Sequence, residues 1–143
     1  MVLPIYNSDI TPEEALSQFE FATSRLVLLP RGKRNIRNHV FDAATDTNNA
    51  SSRFIGVLEK TYKQNGNLDI ANRFLEGINR SLVVIEKIRD LYNLMQEIEE
   101  EPKELESLTR ERSLVESYAG LMSLRRTYAR EMIRDKERNN PKT

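Results

Sequence analysis

The side chains best suited to chemistry lie in one short basic stretch. Its cations are Arg31, Lys33, Arg34 and Arg37, all within seven residues. Clustered arginine and lysine bind phosphate by displacing the counterions that condense along a nucleic acid. The stretch has no interleaved aromatic residues for base stacking, and Gly32 stands alone, unlike the glycines of a phosphate-binding loop. We predict that these four cations contact nucleic-acid phosphate; the alternative is a solvated loop that balances the acidic helix before it.

Catalytic and metal chemistry has little support in the sequence. His39 is the single histidine, and no nearby aspartate, serine or cysteine completes a triad with it. A di-metal helical bundle would need Glu-x-x-His motifs or inward-facing glutamates, and the apolar stripes carry no acids. The chain has no cysteine, which excludes disulfides and thiolate zinc sites. We therefore predict a protein that is not an enzyme and that uses no cofactor or metal.

The overall charge balance gives no general attraction to polyanions. Lysine plus arginine and aspartate plus glutamate each number 22, so the formal net charge is zero and any electrostatic attraction must be local. No apolar run approaches the roughly 20 residues that a membrane span needs. The N-terminus lacks the basic and apolar regions of a secretory signal. We expect one domain in the cytoplasm.

A predicted helical hairpin, Ile36 to Ile98, must position the basic stretch. Apolar or small residues recur along its first arm at alternating steps of four and three, which keeps them on one helix face. They are Ile36, Val40, Ala43, Thr47, Ala50, Phe54, Val57 and Thr61. Gly66 suits the end of this arm, and Asn67 suits the start of the next. The stripe of the second arm is stronger and contains Ala71, Phe74, Leu75, Ile78, Leu82, Ile85, Ile88, Tyr92, Met95 and Ile98.

The middle of the first arm, residues 42–52, is small and polar, and it allows two interpretations. Threonine, asparagine and serine compete for backbone hydrogen bonds, so the helix could break near Asn48 and Asn49. Alternatively, the helix continues and its small side chains let another helix approach closely. We favour continuity, because the alternating steps run without interruption through Thr47 and Ala50.

A short helix is predicted before the hairpin. Thr11 and Glu14 form a capping box, Pro12 suits the first helical position, and the helix should end near Arg25. We expect this helix to pack across the base of the hairpin. The apolar run 26–30, ended by proline, is either a buried connector or an exposed contact between subunits.

A long C-terminal helix is predicted after Pro102, which should break or kink the chain. Its main stripe is Leu114, Tyr118, Leu121, Tyr128 and Met132, with Leu108, Val115 and Met122 beside it. The single all-α domain thus comprises an N-terminal arm and short helix (1–30), a central hairpin (33–101), a C-terminal helix (102–138) and a frayed tail (139–143).

Four arginines recur every four residues near the end of this helix and line one face: Arg126, Arg130, Arg134 and Arg138. Glu131 and Asp135 are interspersed among them, which favours a solvated, ion-paired face. The alternative is a surface for nucleic acid or for an acidic partner.

The second hairpin arm has more apolar surface than one partner helix can cover, because Val83, Val84, Leu91 and Leu94 lie beside its main stripe. A helix that is apolar on two sides can bury both of them in an oligomer. We predict a homo-oligomer interface formed by Ile78, Leu82, Val83, Ile85, Leu91 and Leu94.

The layout of Lys33 to Ile98 resembles the small terminase subunit of tailed bacteriophages. A basic lead-in with Arg34 and Asn35, a first arm around Asp42-Ala43-Ala44, a short polar turn and a second arm through Leu82 and Leu94 follow the family's order. The resemblance implies a hairpin that assembles subunits into a ring, which recognises viral double-stranded DNA and regulates the large, ATP-hydrolysing subunit. The chain departs from many members in lacking an N-terminal helix-turn-helix.

Two functions follow as hypotheses. The first is a non-enzymatic oligomeric assembly or adaptor protein, with viral DNA packaging as the specific candidate. The second is a monomeric or dimeric helical bundle that regulates a protein partner, such as a polymerase or another host enzyme. Neither uses a small-molecule substrate or a membrane. The two differ in stoichiometry, so the mass in solution separates them.

Overall fold

Four helices make up nearly all of the described chain. A computed structural model of the protein describes residues 10–28, 36–65 and 68–139. Within these ranges the helices are α1 (Pro12–Val27), α2 (Ile36–Asn65), α3 (Leu68–Ile98) and α4 (Pro102–Asn139), and no strand is present. The all-α prediction is confirmed, and Pro102 begins a new helix as its chemistry requires. Gly66 and Asn67, assigned to the hairpin turn, lie outside the described residues.

The predicted capping box starts α1. The Glu14 backbone N–H donates to Thr11 Oγ1 at 3.1 Å, and the Thr11 N–H donates to Glu14 Oε1 at 3.0 Å. Pro12 takes the first helical position, where its missing N–H leaves no hydrogen bond unmade. The helix ends at Val27, two residues beyond the predicted end.

The second helix runs unbroken through its polar middle, which confirms continuity. Thr47 Oγ1 donates to the Ala43 carbonyl at 2.9 Å, and Ser51 Oγ donates to the Asn48 carbonyl at 2.8 Å. These buried hydroxyls are therefore satisfied within their own helix and do not compete for its ladder. The small buried residues around them also let neighbouring helices approach closely.

α1 and α4 lie on opposite flanks of the antiparallel α2–α3 pair and do not touch each other within the described ranges. α4 runs parallel to α2, because Glu111 contacts Arg37 and Arg125 contacts Asn48 farther along both helices. It runs antiparallel to α3, because Arg112 contacts Asn93 and Arg126 contacts Asn79. The two hairpin arms touch each other less than they touch the flanking helices. The hairpin is thus present, but its arms are held together mainly through α1 and α4, and not by direct zipping.

α1 lies beside the half of the hairpin nearest its turn, and the prediction that it crosses the base is wrong. Gln18 accepts from Arg53 at 2.7 Å, and Glu20 pairs with Arg73 at 2.8 Å. Arg53 and Arg73 lie toward the ends at which α2 passes into α3. The reason is aromatic packing, since the large apolar side chain of Phe19 finds its partners only in this half.

The aromatic cluster of Phe19, Phe54 and Phe74 forms the centre of this half. Phe74 stacks on Phe54 with ring centroids 4.4 Å apart and meets Phe19 at 4.8 Å. All three rings are fully buried. Gly77 makes room for them, because a Cβ there would lie 2.7 Å from Cε2 of Phe19.

The buried face of α4 is the line that we predicted to lie beside the main apolar stripe. Leu108, Val115 and Met122 are buried, whereas Leu114 and Leu121 of the predicted main stripe are exposed. Both sets repeat every seven residues, so periodicity alone does not choose between them. The choice follows from polar residues on α4 that find partners only when the first set faces inward.

Candidate interaction surface

Arg37 is the only predicted phosphate-binding residue within the described ranges; Arg31, Lys33 and Arg34 lie outside them. Its Nε and Nη2 donate to the two carboxylate oxygens of Glu111, each at 2.9 Å. Its Nη1 donates to Glu104 at 3.2 Å. A bidentate arginine–carboxylate pair is among the stronger and more directional hydrogen-bonded contacts. The Arg37 guanidinium is therefore committed to two carboxylates of α4, and this geometry does not support phosphate contact by Arg37.

Tyr92 brings α3 into the same cluster. Its hydroxyl donates to Glu111 Oε1 at 2.6 Å. Burial alone would raise the pKa of Glu111, but the hydrogen bonds from Arg37 and Tyr92 and the guanidinium charge outweigh burial and hold that pKa below its usual range. The bond to Glu111 raises the pKa of Arg37, and burial, aided by the same carboxylate, raises the pKa of Tyr92. Three helices are thus fixed at one carboxylate.

A second cluster of polar contacts joins α2 and α4 farther along. Arg125 Nη1 donates to Asn48 Oδ1 at 2.7 Å, to the Asn48 carbonyl at 3.2 Å and to Ser51 Oγ at 3.0 Å. Burial lowers the pKa of Arg125, whose Nη1 acceptors are all neutral. Between the two clusters, the hydroxyls of Thr45 and Tyr118 lie 2.9 Å apart. We call these contacts the polar seam: Arg37, Thr45, Asn48 and Ser51 of α2 with Glu104, Glu111, Tyr118 and Arg125 of α4.

The α4 residues of the polar seam are spaced every seven residues: Glu104, Glu111, Tyr118 and Arg125. In a left-handed helical pair this spacing keeps side chains facing one partner. Polar residues at such positions fix register at some cost in stability. Sequence reasoning missed the seam because charged residues were assigned to the solvated face. The seven-residue recurrence of polar side chains beside Leu108, Val115 and Met122 was the available signal.

The predicted oligomer interface on α3 divides into two sets. Ile78, Leu82 and Ile85 are no more than 3% exposed and lie in the core of the bundle, so their assignment to a subunit interface is wrong. These three side chains pack in the core, so none of their surface is available to a second chain. The remaining residues point outward and, together with Ile98, form what we call the α3 outer face: Val83, Leu91, Leu94 and Ile98, between 44% and 78% exposed.

The apolar run after α1 also divides. Leu26 is fully buried, whereas Val27 and Leu28 are exposed, and Leu29 and Pro30 lie outside the described residues. The interpretation as a buried connector therefore holds for Leu26, which anchors α1 to the core. Val27 and Leu28 face solvent, and their contact with another subunit stays a prediction.

A shallow groove of about 250 Å³ lies between α1 and α2. Its cations have partners, because Arg25 pairs with Asp46 at 3.2 Å and Arg53 donates to Gln18. Exposed Phe21 forms part of the lining. Among the described residues no group of three or more histidines or acids could hold a metal ion. The groove thus offers no convergent set of charged groups for catalysis.

The arginine face of α4 contains side chains with different roles. Arg126 Nη1 donates to Asn79 Oδ1 of α3 at 3.0 Å, whereas Arg138 pairs with Asp135 at 3.3 Å on the exposed surface. Arg130 and Arg134 are exposed. Arg126 therefore helps dock α4 on α3, and Arg138 belongs to an ion-paired, solvated face.

The comparisons with known proteins supply no relative. No family model matches the chain, and neither a curated protein nor a solved structure matches it. None of the described helices is long and apolar enough to pass through a membrane.

Proposed function

We propose that this chain is a non-enzymatic helical assembly protein that oligomerises through the α3 outer face. The single observation that carries this proposal is that Leu91, Leu94 and Ile98 project from consecutive turns of α3 although the same helix is buried on its opposite side. Monomeric proteins seldom leave a contiguous apolar patch in water. The polar seam supports a structural role, since its polar side chains are paired between α2 and α4.

The specific candidate is a viral DNA-packaging subunit similar to small terminases. The resemblance of residues 33–98 to that family supports it, together with the basic stretch before α2. Arg31, Lys33 and Arg34 contact the phosphates of double-stranded DNA in this proposal, and a large terminase-like ATPase is the regulated partner. Arg37 is omitted because Glu111 and Glu104 already occupy its guanidinium.

Solution mass tests the assembly. We expect a particle of more than two 16.6 kDa chains by light scattering or native mass spectrometry. The double variant Leu91→Glu/Leu94→Glu should reduce this mass, because each copy would place a charge in the interface. Phe21→Glu, on exposed surface of α1, is the matched control and should leave the mass unchanged. A wild-type particle of one or two chains would overturn the proposed assembly.

A salt titration tests DNA binding. The affinity for random duplex DNA should fall as salt rises, with a slope on logarithmic axes of about −0.9 for each phosphate neutralised. The triple variant Arg31→Gln/Lys33→Gln/Arg34→Gln should flatten that slope. Arg130→Gln/Arg134→Gln, which removes two exposed cations of α4, is the control. Absence of measurable affinity at low salt would remove DNA from the proposal.

The alternative function is a monomeric or dimeric helical bundle that regulates a protein partner. The α3 outer face favours it equally, because such a face suits a helix of another protein. It predicts a particle of one or two chains. It also predicts no change in that particle when Leu91 and Leu94 are substituted.

A further inference from the structure

α4 has a second regular line of residues, which are exposed and separate from its buried face. We call it the α4 outer seam: Arg110, Leu114, Ser117, Leu121, Leu124, Tyr128, Glu131 and Asp135. Consecutive members are separated by alternating steps of four and three residues, and every one of them is exposed. These steps are those that bring side chains against a second helix in a coiled coil.

The apolar residues of the outer seam lie close together, with Ser117 as the one polar position among them. Leu114, Leu121, Leu124 and Tyr128 lie along four turns, and Leu124 is 67% exposed. Isolated apolar side chains on a surface are ordinary. A line of them at coiled-coil spacing is suited to packing against a second helix. A Cβ at nearby Gly120 would meet nothing within 4 Å, so no described side chain covers the helix there.

The charges at the two ends of the seam have opposite signs. Arg110 lies at the N-terminal end, with Lys103 seven residues before it, while Glu131 and Asp135 lie at the C-terminal end. A parallel pair of two α4 helices would bring arginine against arginine and acid against acid. An antiparallel pair brings each basic end against an acidic end. Facing charges set the orientation of paired helices, because like charges disfavour the wrong alignment.

We propose that the α4 outer seam binds the same seam of a second copy of this chain, antiparallel and about a two-fold axis. In the alignment that matches all eight positions, Arg110 faces Asp135 of the other copy and Leu114 faces Glu131. Ser117 then faces Tyr128, and Leu121 faces Leu124. Both apolar leucine contacts lie at the centre, next to the axis, and the charge pairs lie at the rim, as in well-packed interfaces.

Existing contacts of the seam leave room for this pairing. Asp135 pairs with Arg138 at 3.3 Å, but both side chains are 65% exposed, so this ion pair is weak and exchanges readily. The Tyr128 hydroxyl donates to Glu59 of α2 at 3.2 Å, and 37% of the residue surface stays exposed. That contact also places the seam on the α2 side of α4. The α3 outer face is a separate surface, so the α4 pair does not depend on the proposed function.

Cysteine cross-linking tests the orientation, because the 143-residue chain has no cysteine of its own. In the proposed alignment, Leu121→Cys places two thiols three residues apart along the axis, about 4.5 Å, whereas Leu114→Cys places them 17 residues apart, about 26 Å. A short bis-maleimide should therefore join two Leu121→Cys chains and fail to join two Leu114→Cys chains. A mixture of Leu114→Cys with Glu131→Cys should cross-link. Equal linkage at 121 and 114 indicates a parallel pair and overturns the proposal, as does no linkage at 121.

Charge reversal tests the partner. Arg110→Glu occurs twice in a two-fold pair, so we expect the dimer dissociation constant, measured by sedimentation, to rise by at least about tenfold. Asp135→Arg should do the same, and the double variant should recover most of the wild-type affinity. Arg130→Glu, exposed but outside the seam, should change little, and circular dichroism verifies that each variant is folded. Failure of the double variant to recover affinity overturns the charge pairing.

Different variants disrupt the α3 outer face and the α4 outer seam, so the two proposed interfaces can be tested separately. Leu91→Glu/Leu94→Glu should abolish assembly beyond the dimer and leave the Leu121→Cys cross-link intact. Arg110→Glu should weaken the cross-link and leave contacts through α3 unchanged. A wild-type protein that stays a monomer at all concentrations, or that uses the seam only for a different protein, overturns the assignment of a second copy.

Discussion

α1 and α4 cover opposite flanks of the same hairpin by different means. α1 is held chiefly by aromatic packing, with Phe19 against Phe74 and Gly77. On its α2 side, α4 is held by the polar seam, where each polar side chain has a named partner. Burial of apolar area stabilises without strong directional preference, whereas hydrogen bonds and ion pairs require defined positions. The α1 flank is thus centred on an aromatic cluster, whereas the α4 flank adds to its buried Leu108, Val115 and Met122 a line of polar contacts that fixes register.

Helix geometry sets the size of a register shift between α4 and α2. Sliding α4 by one turn moves it about 5.4 Å along α2. Such a shift would separate Glu111 from Arg37 and Arg125 from Asn48 at the same time. An apolar stripe alone would tolerate the shift far better, because leucine, valine and methionine pack in many arrangements.

The largest effect should come from the aromatic cluster. Phe74→Ala removes a fully buried ring that contacts two others, and we expect the free energy of unfolding to fall by about 3–5 kcal/mol. Chemical denaturation followed by circular dichroism measures it. Phe21→Ala, on the solvent side of α1, is the matched control and should change stability by less than about 0.5 kcal/mol. Similar losses for both variants would contradict the assignment of the core.

Substitutions in the polar seam should lower the free energy of unfolding by a smaller amount, but the effects of substituting two paired residues should be strongly coupled. Glu111→Gln weakens charge-assisted bonds from Arg37 and Tyr92, and we expect a loss of about 1.5–3 kcal/mol in unfolding free energy. In a double-mutant cycle, Arg37→Met should cost much less when Glu111 is already glutamine. Additive losses in that cycle would show that the two side chains do not act as a pair.

Glycine substitution compares a tight and an open site. Gly77→Ala should destabilise by roughly 1–2 kcal/mol, because overpacking against the buried ring of Phe19 exceeds the gain in helix propensity. Gly56→Ala meets nothing within 4 Å and should stabilise by up to about 1 kcal/mol. Thermal melts of the two variants give the sign directly. A stabilised Gly77→Ala protein would mean that Phe19 moves freely.

The smallest effect is a pH dependence from the polar seam. The pKa of Glu111 is lower in the folded chain than its usual value, so its contribution to stability is present above the unfolded-state pKa. That contribution is lost as pH falls through the folded-state value. The stability difference between wild type and Glu111→Gln should therefore shrink from neutral pH toward about pH 3. Thr127→Ala, which changes an exposed α4 residue without a titratable group, is the control and should show no such trend.

Local patterns in the sequence predicted the elements well. The capping box of Thr11 and Glu14 marks the start of α1, and Pro102 marks the start of α4. The alternating steps through Thr47 and Ala50 predicted an unbroken α2 despite its polar middle. These features depend on residues within a few turns of each other, so one chain segment contains the information.

Partners between distant helices were not predictable in the same way. The guanidinium of Arg37 donates to Glu111, which lies 74 positions later in the chain. No local sequence pattern distinguishes such an arginine from one that binds phosphate. α4 offered two lines with the same seven-residue repeat, and only the positions of Arg37 and Asn48 on α2 select the inner one. The burial of Ile78, Leu82 and Ile85 likewise depends on helices that their own segment does not contain.

The order of the helices has a consequence for biosynthesis. Of the four described helices, α4 is translated after the other three, and it covers faces of α2 and α3 that include Arg37 and Tyr92. At about 5–20 residues per second, its 38 residues take roughly 2–8 seconds to be synthesised. During that interval a ribosome-bound hairpin displays an uncovered flank. Nascent chains on one message are thus exposed to one another until the final helix closes the bundle.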